Sequence, residues 1–430
     1  MSKENNSIKS INKEGIMLAS YTENYNHKYA DEAWHFSGKV LEIENFNIIS
    51  NANTYDLLSE LKKLYANKYD CLHILPSGSK NSEYLEEIAD HEIYIGKNNC
   101  KAFEIRINDN CPMSPIKMVP CFRHGSMTPW GGEKLKALYN KDIPDSTTGE
   151  SMELSAIPTL NSKDPNGTAL EDLQRIYGLS FIGNSFDTTT QFPLLIKLLD
   201  AKGLLSIQVH PDDEYAHKHE NGKLGKEEAW VVLDCEENSK LIYGLKPNTK
   251  PEDLSKCLKS GESPEKYMNY IYVKKGDVLH IAPGTVHALG SGIVVYEVQQ
   301  SSDVTYRLWD WARKDKNGKM RPLHIDDSIN CIKYDRELTI SSLPSKLGIN
   351  TLLDVESFIL YVINIDGRET IKNNGESFIT LTSLTNSTIL SYDNRLNLLN
   401  GDTAIVPASV SEFTIEGKGM LLMAKAKNKK

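Results

Sequence analysis

No stretch of this 430-residue chain approaches the about 18 consecutive apolar residues that a membrane-spanning helix needs. Its polar start, MSKENNSIKSINKEG, lacks the apolar centre of a secretory leader. Positive charge is in deficit as well. Forty-nine basic against 58 acidic residues give a net charge of −9, so no global field draws the chain to nucleic acid or an anionic membrane. Any anionic ligand has to be met by local cations. The 7 cysteines (Cys71, Cys100, Cys111, Cys121, Cys235, Cys257 and Cys331) are odd in number, dispersed and free of CxxC spacing. Such a set fits reduced thiols in a cytoplasmic protein. A nucleotide-binding loop is also missing. AWHFSGKV has Gly38-Lys39, but Ala33 stands where the loop needs glycine and Val40 where it needs Ser or Thr.

What the chain does have is concentrated between Gln208 and Arg307: QVHPDDEYAHKHENGKLGKEEAW, then GDVLHIAPGTVHALG, then YEVQQSSDVTYRLWDW. Gln208 and His210 are two apart, so on a strand both side chains point to one face. Their segment, LLSIQVHP, is aliphatic and β-branched and stops at Pro211. Glu228 precedes the apolar run AWVVL, and His287 follows the tight turn at Pro283 and Gly284. An amide, two imidazoles and a carboxylate on adjacent strands can converge on one metal. The imidazoles favour zinc, and the hard oxygens leave other divalent ions as alternatives. Lys226, Asp303 and Arg307 put charge beside these groups, which points to a catalytic site for a small anion. Ser206, two before Gln208, faces the same side and could donate a hydrogen bond to phosphate.

The motifs WGGEKL (130–135), FPLLIKLLDA (192–201), LLSIQVHPDD (204–213), GKEEAW (225–230), APGTVHALG (282–290) and QQSSDVTYRLWDW (299–311) occur in one order. In these stretches, from about Pro115 to the C-terminus, the chain resembles the type I mannose-6-phosphate isomerases of the short bacterial form, metal-dependent cupin enzymes. The resemblance implies interconversion of D-mannose 6-phosphate and D-fructose 6-phosphate through an enediol(ate), with one bound zinc. It carries family active-site positions onto Arg307, Lys197, Lys226 and Asp303, and makes Glu297 a candidate general base. Asp303 and Arg307, four apart, could form an ion pair. Substrate contacts are expected from Ser206, Lys226 and Arg307. The chain departs from the family at Asp213, Gly225, Leu289 and Met152, and none of these removes a metal donor. His217, His219, His280 and His324 read as surface or structural histidines, and Trp309 and Trp311 as core packing. The rival readings are a cupin that binds sugar phosphate or metal without catalysis, and a metal cupin isomerase for glucose 6-phosphate.

The expected fold is mainly β: two cupin jelly-roll barrels with short helical insertions, preceded by a small α/β extension. Residues 1–110 form that extension, with 1–14 disordered and a helix whose apolar face is Leu57, Leu58, Leu61 and Leu64. Residues 111–335 form the metal-binding cupin domain, with two short helices at 250–270. Residues 336–430 form a second cupin-like unit. Its Gly401-Asp402 and Pro407 echo Gly276-Asp277 and Pro283, but Ala408 and its neighbours replace the histidine-bearing turn. The second barrel therefore has no ligand.

Overall fold

Runs such as IVVYEVQQ and LLIKLLDA are apolar at most positions and buried at all of them, the pattern of strands covered on both faces. The computed structural model describes residues 9–13, 16–24, 40–49, 54–66, 68–95, 100–107, 113–314, 317–391 and 394–428. The central region consists of a pair of antiparallel sheets that face each other. The larger runs Ile340–Ser342, Asp277–Ile281, Glu228–Cys235, Ile293–Gln300, Leu194–Ala201, Glu150–Leu154 and Cys121–Arg123. The smaller runs Met268–Tyr272, Lys240–Leu245, His287–Ala288, Ile207–Val209 and Tyr306–Trp309.

The two-residue period sorts the larger sheet's side chains. Leu199, Trp230, Val232, Leu279 and Val295 pack inward against Leu205, Leu241, Tyr243 and Leu289. Leu194, Ile196, Leu198, Val231, Tyr296 and Val298 point outward into a core shared with Phe358, Leu360, Leu381 and Leu421. Each fully buried aliphatic or aromatic side chain of this kind stabilises the fold by roughly 1.5–3 kcal/mol. The double coverage explains why these strands are mostly apolar on both faces. It also makes the few charged residues in them conspicuous.

The C-terminal region is again β, built around the long antiparallel pair Phe358–Lys372 and Glu412–Ala426. The repeat seen in the sequence has a structural counterpart. Gly276 and Gly401 both adopt positive φ, 90° and 89°, in the turns that lead into Asp277–Ile281 and Thr403–Val406. The sheets do not respect the chain divisions drawn from the sequence. Ile116–Lys117 pairs with Thr403–Val406, and Ile340–Ser342 pairs with Asp277–Ile281. Local sequence cannot signal such exchanges, because short edge strands take their partners from distant segments. The 250–270 segment forms the helix Pro251–Lys259 and the single turn Pro264–Tyr267.

The extension is a six-stranded sheet in the order Lys9–Lys13, Ile16–Asn24, Val40–Ile48, Cys71–Pro76, Cys100–Arg106, His91–Ile95. The helices Thr54–Tyr65 and Ser79–Ile88 cover one face through Leu57, Leu61, Tyr65, Leu85 and Ile88. Two expectations need correction. Lys9–Lys13, assigned to a disordered start, is a strand paired with Ile16–Asn24, because Ile11 is an inward residue with a core to enter. The other residues of 1–14 lie outside the described residues. Leu64, assigned to the helix's apolar face, is 41% exposed; Leu57, Leu61 and Tyr65 form that face instead. The sheet's second face meets the central region, where the Arg106 guanidinium lies 6.0 Å from the Tyr177 ring centre. Removing residues 1–110 should leave isomerase kcat close to that of the full chain, because every candidate ligand and both larger sheets lie beyond them. A coupled assay on the truncated chain checks this; an insoluble or inactive product would make the extension an element of the catalytic fold.

Candidate metal centre and active site

Gln208 lies at the centre of a three-strand ladder, in register with His287 on one side and Arg307 on the other. Cross-strand partners share a face, so all three side chains belong to the inner side of the smaller sheet. His210 follows on the same side, and Glu228 reaches in from the larger sheet. The Nε2 atoms of His210 and His287 lie 3.6 and 3.2 Å from the Glu228 oxygens, and the Gln208 amide nitrogen lies 3.3 Å from His287 Nε2, where a half-turn of the amide would present Oε1 instead. Donors around a tetrahedral zinc, with bonds of about 2.0–2.2 Å, stand about 3.4 Å apart, so the group fits such an ion. Both Nδ1 atoms are committed: His210 donates to Val304 O and His287 to Thr285 O, each at 2.9 Å. That fixes the tautomer in which Nε2 is a bare donor atom aimed at the centre.

The charge pattern agrees. His210, Glu228 and His287 are fully buried, and neither Glu228 oxygen accepts a well-formed hydrogen bond from the described residues. Lys226 Nζ stands 2.7 Å from Glu228 and 3.0 Å from His210 Nε2, a positive group drawn to a donor set that calls for a cation. Burial works against the Glu228 charge, but Lys226 and the two imidazoles hold its carboxyl well below the ordinary range. Burial, and then the Lys226 charge, push His210 well below its ordinary value.

A second charged row lies next to the first on the inner face of the larger sheet. Lys197 is in register with Glu297, donates to it at 2.9 Å, and lies 3.5 Å from Glu150. Trp230 Nε1 donates to the other Glu297 oxygen at 2.7 Å, while the Trp230 ring stands edge-on to His287, 5.4 Å between centres. Arg123 closes the row, 3.7 Å from Glu150. Burial alone would depress Lys197, yet Glu150 and Glu297 carry it above its ordinary 10.5. Burial pulls Glu150 upward, but Lys197 and then Arg123 hold it below 4.5.

These shifts set a pH window. A carboxyl held low in the folded state stabilises above its unfolded value and loses that contribution as pH falls through the folded one. A lysine held high stabilises below its unfolded value and loses it as pH rises through the folded one. Lys197→Met, which strands two buried carboxylates, should cost roughly 3–5 kcal/mol by denaturant titration near neutrality. Glu150→Gln should flatten the acid side of the Tm–pH curve; an unchanged acid limb would remove Glu150 from that linkage.

Other expected residues are placed differently. Asp303 does not pair with Arg307. It is partly exposed and bound to Lys223 at 2.8 Å, because the extended backbone carries the two side chains apart. It borders an open cleft of about 710 Å³ with Lys223, Arg175, Gln174 and Ser302, which the metal donors do not line. Arg307 is half-buried, donates to Pro322 O at 3.2 Å, and has no hydrogen-bond partner for Nε among the described residues. Burial and the nearby Arg321 lower it from its ordinary value. Arg321 clamps Asp310 at 2.5 and 2.7 Å, and Arg313 binds the same carboxylate. Ser206 is buried beside the site and donates to Gln208 Oε1 at 3.4 Å.

Of the histidines read as structural, His280 pairs with Glu227 at 3.0 Å and His324 accepts from Arg307 N at 3.2 Å. Trp311 donates to Leu205 O at 2.7 Å. Sequence reasoning missed Arg123, Glu150 and Trp230 at the site. A charged residue at an inward position of a strand is the signal for the first two, legible only once the register is known. Trp230 has none, since an indole in AWVVL reads as core.

Two family descriptions match the chain: "Phosphomannose isomerase type I, catalytic domain" over residues 124–236 and "Mannose-6-phosphate isomerase, cupin domain" over 348–425. The chain is 36% identical over 311 residues to mannose-6-phosphate isomerase ManA of Bacillus subtilis, covering 70% of this chain and 96% of that one. It is 36% identical over 295 residues to the mannose-6-phosphate isomerase of Streptococcus mutans, covering 67% and 92%. Among solved structures, the mannose 6-phosphate isomerase from Bacillus subtilis superposes with a TM-score of 0.63 at 32% identity, over 72% of this chain and 99% of that one. A zinc-bound mannose 6-phosphate isomerase shares the fold with a TM-score of 0.59 at 17% identity, over 73% and 100%.

Proposed function

The chain belongs to the type I mannose-6-phosphate isomerases, and on that footing we propose that Gln208, His210, Glu228 and His287 hold one zinc ion beside a cationic substrate pocket. The activity is the metal-dependent interconversion of D-mannose 6-phosphate and D-fructose 6-phosphate through an enediol(ate). Two imidazole nitrogens, a carboxylate and an amide oxygen favour zinc among divalent ions, and the buried carboxylate without a good hydrogen bond is the observation that carries this assignment. When bound, the ion supplies a fixed positive charge that favours ionised oxygen at the substrate's first two carbons.

The remaining roles fall to the chain itself. Lys226, already within 3.0 Å of two metal donors, holds an oxygen of the sugar and neutralises developing charge. Arg307, in register with Gln208 and with Nε unpartnered, offers its guanidinium fork to phosphate or enediolate oxygens. Ser206, just before the strand Ile207–Val209, adds a hydroxyl beside Gln208. Glu297 is the carboxylate we assign to the carbon-bound proton. It keeps free lone pairs beyond its bonds to Lys197 and Trp230, and Lys197 holds it in place. Asp303, outside the metal-donor group, is assigned to the pocket rim. The dispersed free cysteines support a reducing, cytoplasmic setting.

A coupled assay with mannose 6-phosphate, with and without a chelator, tests the reading. Turnover that chelation abolishes and zinc restores supports it. No turnover with the metal in place would favour a binding cupin, and turnover confined to glucose 6-phosphate would favour the other isomerase.

A further inference from the structure

The extension has helices on one face only, yet its other face is buried too, and it is not apolar. Glu42, His73 and Glu104 occupy one row across three neighbouring strands, Glu42 in register with His73 and His73 with Glu104. All three are buried, and so is Cys71, two residues before His73 and therefore on the same face. The register sets His91, on the edge strand, opposite Glu104 in the same row.

The donor atoms of Cys71, His73 and Glu104 lie within 4.8 Å of one another, with His73 Nε2 3.0 Å from Glu104. Tyr177 closes the face from the central region. Burial pushes its hydroxyl well up, and Glu104 and Cys71 are the next contributors, which places all three together.

We infer that Cys71, His73 and Glu104 form a second divalent transition-metal site, separate from the isomerase centre and seated where the extension meets the catalytic region. A thiolate and a carboxylate bring two negative charges, a neutral imidazole none, so a divalent ion leaves the buried cluster neutral. That balance suits a buried position, where each uncompensated charge costs several kcal/mol. Glu42 and Arg106 add charges of opposite sign to the same face. Sulfur, nitrogen and oxygen donors at these separations suit zinc or cobalt in a tetrahedral site, with bonds of about 2.0–2.3 Å once the donors draw in. The register offers Glu42, beside His73, for the fourth position. The site would pin the extension's sheet to the catalytic region as a structural ion.

Cobalt(II) separates this site from the isomerase centre, because only the proposed site has a sulfur donor. The full chain, stripped of metal and titrated with Co²⁺ alone, should bind two ions and show a near-ultraviolet sulfur-to-cobalt charge-transfer band. Cys71→Ser should lose the band and one ion while keeping isomerase activity. Glu104→Gln, which preserves size and hydrogen bonding, should weaken binding of that ion about tenfold or more. One Co²⁺ per chain without the band would overturn the proposal and leave a buried histidine–carboxylate contact. A band that persists in Cys71→Ser would assign the sulfur to another cysteine and overturn it as well.

Discussion

His210→Ala and His287→Ala should each release the isomerase-site ion and lower turnover of mannose 6-phosphate on the order of 10³-fold or more, since several kcal/mol of charge stabilisation leave with it. Each imidazole supplies a bare Nε2 whose direction is held by a backbone carbonyl on the far side of the ring. Alanine removes a donor that its nearest charged neighbour, the Lys226 ammonium, cannot replace, because Lys226 is a cation. Elemental analysis after dialysis, read beside the coupled assay, checks both effects. Full occupancy in either variant would strike that histidine from the donor set. Loss of activity with the ion retained would make it a substrate contact instead.

Arg307→Ala should lower kcat on the order of 10²–10³-fold with a much smaller rise in KM, the scale of removing one preorganised donor from a water-poor site. The guanidinium is prepared for such a role. It is half-buried, tethered to Pro322 O, and its Nε awaits a partner. Arg307→Lys should recover little, because a single ammonium cannot reproduce a planar two-point contact. The ion should stay bound in both variants, since no arginine atom is among its donors. A loss confined to KM would assign Arg307 to the phosphate alone, and near-normal kinetics would move the transition-state role to Lys226 or Lys197.

The candidate metal donors were legible because their spacing is local. Gln208 and His210 share a strand face by the two-residue period, and His287 follows a Pro-Gly turn that is plain in the chain. Lys197 stood out because a charge inside an apolar run needs a partner, whereas Glu297 was named only through the family resemblance. The pairing of the two with each other, across 100 residues, was not legible. The Asp303–Arg307 pairing failed in the same way, since a separation of four says nothing about where an extended backbone sends two side chains. Glu150 and Arg123 were invisible until the register of Glu150–Leu154 against its neighbours set them facing inward.

By itself, then, the sequence indicated the mainly β class of fold, the family it resembles and four candidate metal donors, because periodicity, motifs and short-range spacing are properties of the chain. Tertiary structure alone decided which charges meet: Lys197 between two glutamates, Lys226 against the donor set, and Cys71 with His73 and Glu104 beneath Tyr177. Those contacts depend on strand order and register, which long-range pairing sets after the local elements have formed.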